Sequence, residues 1–296
     1  YRNRHPLWVT LWCDEESGLT GSSGFIGKLG PAELARTRPD GEALGDKIRK
    51  IGGRPEALAH YRHEPGSIAG YVELHIEQGG TLDREGIPIG IVEGIVGIRS
   101  WEVTITGFAN HAGTTAMGER KNALLAAAEL TLAVDRIVRA KPGRQVGTVG
   151  RLQVKPGAQN VVPGEAVLSI EIRDLSMDKL EAIWREIEAE GNAIMERRGT
   201  TWKTGARPPN VAAPATDAVR AVIAKSAESL GLRTRSLPSG AGHDAQNLAR
   251  IGPMGMIFVP SVGGISHAPT EYTRPEAVSN GVNVLLQTIL RLDQGG

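Results

Sequence analysis

Cysteine is almost missing. Cys13 is the only one in 296 residues, so no disulfide can form within the chain, and a reducing, cytoplasmic setting fits. Aromatic residues make up 4% of the chain, which leaves the core to aliphatic side chains and alanine. No run is long and apolar enough to span a bilayer, and no signal-peptide pattern is visible. No block of one charge occurs either. The net charge is +1, which offers no footprint for nucleic acid or for an anionic membrane. An initiator methionine is absent, and Tyr1–Pro6 runs straight into an apolar stretch, so the chain reads as beginning inside a longer one. What is present, 40% hydrophobic and 23% charged residues, is ordinary for a globular chain of one large or two medium domains.

The most informative stretch is Tyr71–Gly79, YVELHIEQG. Val72, Leu74 and Ile76 alternate with Tyr71, Glu73, His75 and Glu77, the period of a strand with one apolar face. The polar face places a histidine between two carboxylates. Taken alone, it is equally a half-exposed strand of an ordinary sheet. Upstream, Leu7–Cys13 (LWVTLWC) has the composition of a buried strand and ends in Asp14-Glu15-Glu16. Acidic clusters usually lie on solvated faces, but ligand sites in α/β sheets sit at strand ends.

From about residue 98 the pattern changes. Strand alternation over Ser100–Thr106 is followed by a helix over Asn122–Val138 and strands over Val146–Val154 and Ala166–Arg173. A helix over Met177–Arg197 and a strand over Thr200–Thr204 complete the segment. The order βαββαβ is ferredoxin-like. The expected fold is α/β: a discontinuous domain, 1–97 and 209–296, with an inserted ferredoxin-like domain at 98–208.

Of seven histidines, His5, His60 and His63 read as surface residues. His75, His111 (FANHAGTT), His243 (SGAGHDAQ) and His267 (GGISHAPTE) lie in glycine-rich or strand-end contexts. With Glu15 and Glu16 they suggest a hydrolytic metal site, which needs His and carboxylate ligands and a carboxylate base not spent on the metal. Gly263-Gly264 lets backbone approach a ligand closely, and Gly240 and Gly242 lead into a helix start at Asp244, a place where anions bind. Arg173, on the polar face of its strand, and Asn160 in QNVVPG suit a carboxylate. A surface salt bridge is the plainer reading of Arg173.

With these motifs in order, the chain resembles the zinc-dependent N-carbamoyl-L-amino-acid hydrolase, allantoate amidohydrolase and β-ureidopropionase group of the dinuclear-zinc aminoacylase and carboxypeptidase superfamily. The resemblance rests on DEE, LHIEQG, GFANHAGTT, QNVVPG with IEIRD, SGAGHDAQ and GGISHAPTEYT, and covers nearly the whole chain. It implies Glu15 as general base, Glu16 and His267 as ligands of one zinc, and His75 as a ligand of the other. Manganese, cobalt or nickel are the alternatives to zinc. It also implies His111 polarising the scissile carbonyl, Asn160 and Arg173 holding the substrate carboxylate, and His243, Gly263 and Gly264 lining the pocket. The inserted domain would be a lid that forms a homodimer, and the substrate a small ureido or carbamoyl carboxylate.

The resemblance further implies an upstream histidine and a metal-bridging aspartate, which have no counterpart in residues 1–296. The loop after Glu16, SGLTGSS, also lacks the usual Gly-Ser-Arg-Phe. Residues 1–296 alone are therefore expected to hold at most one zinc and to show no measurable ureido hydrolysis. The rival expectations are a peptidase or deacylase of the same superfamily, and an inactive dimeric binding or scaffold protein.

Overall fold

The computed structural model describes residues 1–295. It divides into two compact units, one formed by Tyr1–Ile95 with the chain from Ala213 onward, the other by Val96–Ala212.

The first unit is built on a mixed sheet. The strand Met254–Val259 runs parallel to Tyr71–Ile76 on one side and antiparallel to Ile89–Ile95 on the other. Beyond Ile89–Ile95 lies Thr234–Ser239, parallel to it, and the short strand Ala213–Pro214 also pairs there. Alternation sorts the side chains. Met254, Met256 and Phe258 join Leu82, Val92 and Leu237 on one face. Ile257 and Val259 join Val219, Ile223 and Val284 on the other, beneath the helices Asp217–Ser229 and Pro275–Asp293. Met254–Val259 is apolar throughout because both its faces are covered. Tyr71–Ile76 lies at the sheet edge. Its Val72, Leu74 and Ile76 join the helix-covered core, and register sets His75 beside Phe258 and Glu73 beside Met256, on the opposite face.

Leu7–Cys13 is not a strand. It forms no ladder with any strand among the described residues, and Val9 and Leu11 are almost fully exposed, at 94% and 96%. Trp8 and Trp12 instead pack edge-on against Phe25. Two histidines expected on the surface also have partners. His63 stacks on Phe25 at 4.0 Å between ring centres, and His5 Nδ1 lies 2.9 Å from the carboxylate of buried Asp293.

The second unit is a four-stranded antiparallel sheet. Val146–Lys155 and Gly97–Thr106 flank Glu165–Asp174, and Thr201–Ala206 lies outside Gly97–Thr106. That is the strand order of the ferredoxin-like fold. The helix Ala123–Ala140 starts under Asn122, whose Oδ1 accepts from Leu124 N and Leu125 N. The helix Met177–Arg198 starts under Ser176 and ends at Gly199, left-handed at φ 59°. Both helices cover one face of the sheet, where Val103, Ile105, Leu168 and Ile170 are buried. Trp101 and Trp184 stack there at 3.8 Å.

Candidate functional site

The polar face of Tyr71–Ile76 is the floor of the site. Tyr71 Oη takes the Trp12 Nε1 hydrogen at 3.0 Å and donates to Glu73 Oε2 at 2.8 Å. The same Glu73 oxygen accepts the Ala245 amide at 3.0 Å. Burial, first among the causes, pushes Glu73 up to about 7. The start of the short helix Ala245–Leu248, expected to bind an outside anion, thus takes the chain's own Glu73. Two residues along, His75 Nδ1 lies 2.8 Å from the Ile76 carbonyl. A carbonyl only accepts, so Nδ1 carries the proton and Nε2 keeps a free lone pair.

His243 comes from the loop after Thr234–Ser239 and is fully buried. Its Nε2 lies 2.7 Å from Ser239 Oγ, and its Nδ1 has no hydrogen-bond partner and lies 3.7 Å from Glu73 Oε1. Burial, and then the nearby His75, lower its pKa to about 3, so the ring is neutral. The His75 and His243 ring centres are 4.5 Å apart. Asp244 is buried as well, neither of its carboxylate oxygens has a hydrogen-bond partner, and burial raises its pKa.

Glu15 and Glu16 open a single helical turn, Glu15–Gly18. Asp14 precedes them in a left-handed conformation, φ 57°, and is spent locally, accepting from Ser17 and Thr20 and pairing with Arg38 at 3.1 Å. Glu15 is half-buried. Burial and then the charge of Glu16 raise its pKa. One ligand atom each from Glu15, His75 and His243 fall within 4.8 Å of one another, and two imidazoles with a carboxylate are a donor set that fits a cation. Glu16 turns outward. Its Oε2 lies 3.5 Å from His267 Nε2, with both side chains exposed at 77% and 70%. Gln78 Nε2 is 3.3 Å from the same His267 nitrogen. Gln78 and His267 are left-handed, at φ 54° and 55°. Such strain costs roughly 1–2 kcal/mol per residue and is typical of functional sites.

Gly263 and Gly264 are also left-handed. Their N–H groups go to Asp83 Oδ2 at 2.9 Å and to the Ser261 carbonyl at 3.0 Å. A Cβ on Gly264 would meet Gly80 N at 2.6 Å. The close backbone approach expected at this pair is therefore made to Gly79-Gly80 of the chain itself, and neither amide is left for a ligand.

In the second unit, His111 pairs with Val161, and Ala112 N donates to the Asn160 carbonyl at 2.8 Å. Gly113 N and Thr114 N both donate to His111 Nδ1, at 3.0 and 3.2 Å. The ring proton is thereby fixed on Nε2, which faces outward as a donor. Arg173 is elsewhere. It pairs with Glu171 at 2.7 Å, near the end of Glu165–Asp174 that lies beside Gly97. Asn160 and His111 lie beyond the opposite end, next to Gly107 and Gly164. Arg173 is eight residues from Glu165, roughly 26 Å at ~3.3 Å per residue. Within one copy, Asn160 and Arg173 do not close on one carboxylate.

Ser239 was not named from sequence, Glu73 entered only as a carboxylate flanking His75, and Asp244 only as a helix start. Glu73 had a signal, two residues before His75 on the same strand face. The burial of Asp244 and Ser239 had none, because it follows from the path of the loop.

The match to the description of peptidase family M20/M25/M40 spans residues 1–291. The chain is 36% identical over 296 residues to the N-carbamoyl-L-amino acid amidohydrolase of Geobacillus stearothermophilus, covering 98% of this chain and 72% of that one. It is 34% identical over 300 residues to the allantoate amidohydrolase of Bacillus subtilis, covering 98% and 71%. A solved amidase of the hydantoinase/carbamoylase family from Burkholderia multivorans superposes with a TM-score of 0.83 at 32% identity, covering 92% of this chain and 66% of that one. The paired glutamates, the histidines that face them and the inserted ferredoxin-like unit thus sit in a chain that belongs to peptidase family M20/M25/M40.

Proposed function

We propose that the protein is a metal-dependent amidohydrolase that cleaves the C–N bond of a carbamoyl or ureido group on a small carboxylate, with N-carbamoyl-amino acids, allantoate and ureidopropionate as the candidates. The observation that carries this is the convergence of Glu15, half-buried with a raised pKa, on His75 and His243, in a chain whose relatives are named for such reactions. Glu16 and His267 would hold one zinc, and His75 would be a ligand of the other. A divalent ion there supplies Lewis acidity toward a carbonyl and makes a water acidic.

The chain's own groups do the rest. Glu15 takes a proton from the attacking water, and its raised pKa lets it deliver that proton to the leaving nitrogen. His111, with its proton fixed on Nε2, donates to the carbonyl oxygen as negative charge develops there. Arg173 binds the substrate carboxylate by its fork, and Asn160 adds an amide contact. Since Asn160 and Arg173 lie at opposite ends of one sheet, both reach one carboxylate only if two copies contribute. That supports a homodimer through the inserted unit.

The test is ammonia release from N-carbamoyl-amino acids and allantoate with added zinc, manganese or cobalt, set against dipeptides and N-acyl amino acids. In a catalytically competent form, Glu15→Gln should lower kcat by roughly 10²–10⁴ with little change in KM. Arg173→Ala should instead raise KM by the equivalent of about 2–5 kcal/mol for carboxylate substrates. Turnover confined to dipeptides or N-acyl amino acids would replace the ureido reading with a peptidase or deacylase.

A further inference from the structure

We infer that Arg120 is a positioning residue for His111: it braces the loop between Phe108 and Lys121 so that two backbone amides hold His111 Nδ1 as an acceptor and leave Nε2–H as the donor. The loop begins and ends on one hydrogen bond, Phe108 N to the Lys121 carbonyl at 2.9 Å. Arg120 reaches back across it. Its Nη2 donates to the Ala112 carbonyl at 2.6 Å and its Nε to the Thr115 carbonyl at 3.0 Å. Those two carbonyls bracket Gly113 and Thr114, whose amides donate to Nδ1 at 3.0 and 3.2 Å. The guanidinium fork is planar and rigid, so holding both carbonyls fixes the turn between them. Thr115 Oγ1 closes the turn by donating to the His111 carbonyl at 2.7 Å. Gly113 lets the ring come close, since a Cβ there would meet His111 Cε1 at 3.1 Å.

Core packing does not account for this bracing. His111, Gly113 and Thr114 are exposed, and water can satisfy exposed backbone. Here the Gly113 and Thr114 amides and the Ala112 and Thr115 carbonyls are all spent on one imidazole and one guanidinium. A proton on Nδ1 would face two amide protons, so the ring keeps its proton on Nε2. Accepting at Nδ1 also strengthens the donor at the far nitrogen, because linked hydrogen bonds polarise one another. A carboxylate at Nδ1 would turn Nε2 into a base. Amides there make it a donor toward developing negative charge.

This rests on His111 polarising the carbonyl, as proposed above, but its first test needs no turnover. Long-range ¹H–¹⁵N NMR of the full chain, in alkaline buffer without metal, reads which His111 nitrogen carries the proton. The unmodified chain should show a protonated Nε2 and an unprotonated Nδ1. Arg120→Met should draw the two nitrogens toward one averaged shift, and Arg120→Lys should fall between. Gly113→Ala should reproduce the loss with Arg120 in place. If Arg120→Met does not fold, Arg120→Lys decides, since an ammonium lacks the planar fork. An averaged tautomer in the unmodified chain, or Arg120 variants that leave the tautomer as it was, would overturn the inference. In a catalytically competent form, Arg120→Lys should also lower kcat by roughly 10–100-fold with KM little changed. A lost tautomer with kcat unmoved would remove His111 from the reaction proposed above and leave the hold of Arg120 on the ring standing.

Discussion

At the scale of single residues, the site joins two groups that burial drives in opposite directions. Glu73 is raised to about 7 and His243 lowered to about 3. In the metal-free protein, folding favours neutral Glu73, so its stabilising effect is whole below the unfolded carboxylate pKa and is lost as pH rises through about 7. Folding also favours neutral His243, so that contribution is whole above the unfolded imidazole pKa and is lost as pH falls toward 3. Stability should peak in the mildly acidic range between them. Glu73→Gln should remove the alkaline fall, on the order of 2–3 kcal/mol, which urea titrations at pH 5 and 8 in the presence of a chelator would detect. An unchanged difference between the two pH values would mean that Glu73 is solvated. Much of this was legible in the sequence, since the strand alternation set Glu73 and His75 on one face. The burial of Asp244 and the orphaned nitrogen of His243 were not, because the loop that carries them follows no repeating pattern.

Elements were read best where periodicity was long. The helix Met177–Arg198 and the strand Glu165–Asp174 were anticipated to within a residue or two at either end, because both bury one face in a local core. Leu7–Cys13 failed because composition reports only that a segment prefers to be covered. A strand also needs a neighbour to complete its hydrogen bonds, and that neighbour is a tertiary fact. The contact between Gly264 and Gly79-Gly80 was likewise hidden, since nothing in GGIS says which backbone it touches. It leads to a sharp expectation. Gly264→Ala puts a methyl group into the Gly80 backbone at a left-handed position, and should destabilise the first unit by ~2–4 kcal/mol. Denaturant unfolding checks this, and a loss under ~0.5 kcal/mol would show that the loop yields freely.

For the whole molecule, the inserted unit has its own core of strand and helix side chains and is continuous in sequence from Val96 to Ala212. Expressed alone, it should fold cooperatively, and on the dimer proposal it should sediment as a dimer at micromolar concentration. A folded monomer would remove the support for a shared carboxylate site. Its junction has a further consequence. Ile95 pairs with Ala213 and Ile98 with Asn210, so the chain leaves and returns along one antiparallel ribbon. To the flanking sequence, an insertion of about a hundred residues is then no wider than a hairpin turn. Once the insert has folded, the loop that its host must close shrinks to a few residues, which on a (3/2)RT ln n scale lowers the entropic cost by about 3 kcal/mol. An insert that folds first would thereby ease closure for the chain on either side of it. A host whose Ile95 and Ala213 are joined by a short turn needs no such help, and it should refold faster than one carrying an insert that cannot fold.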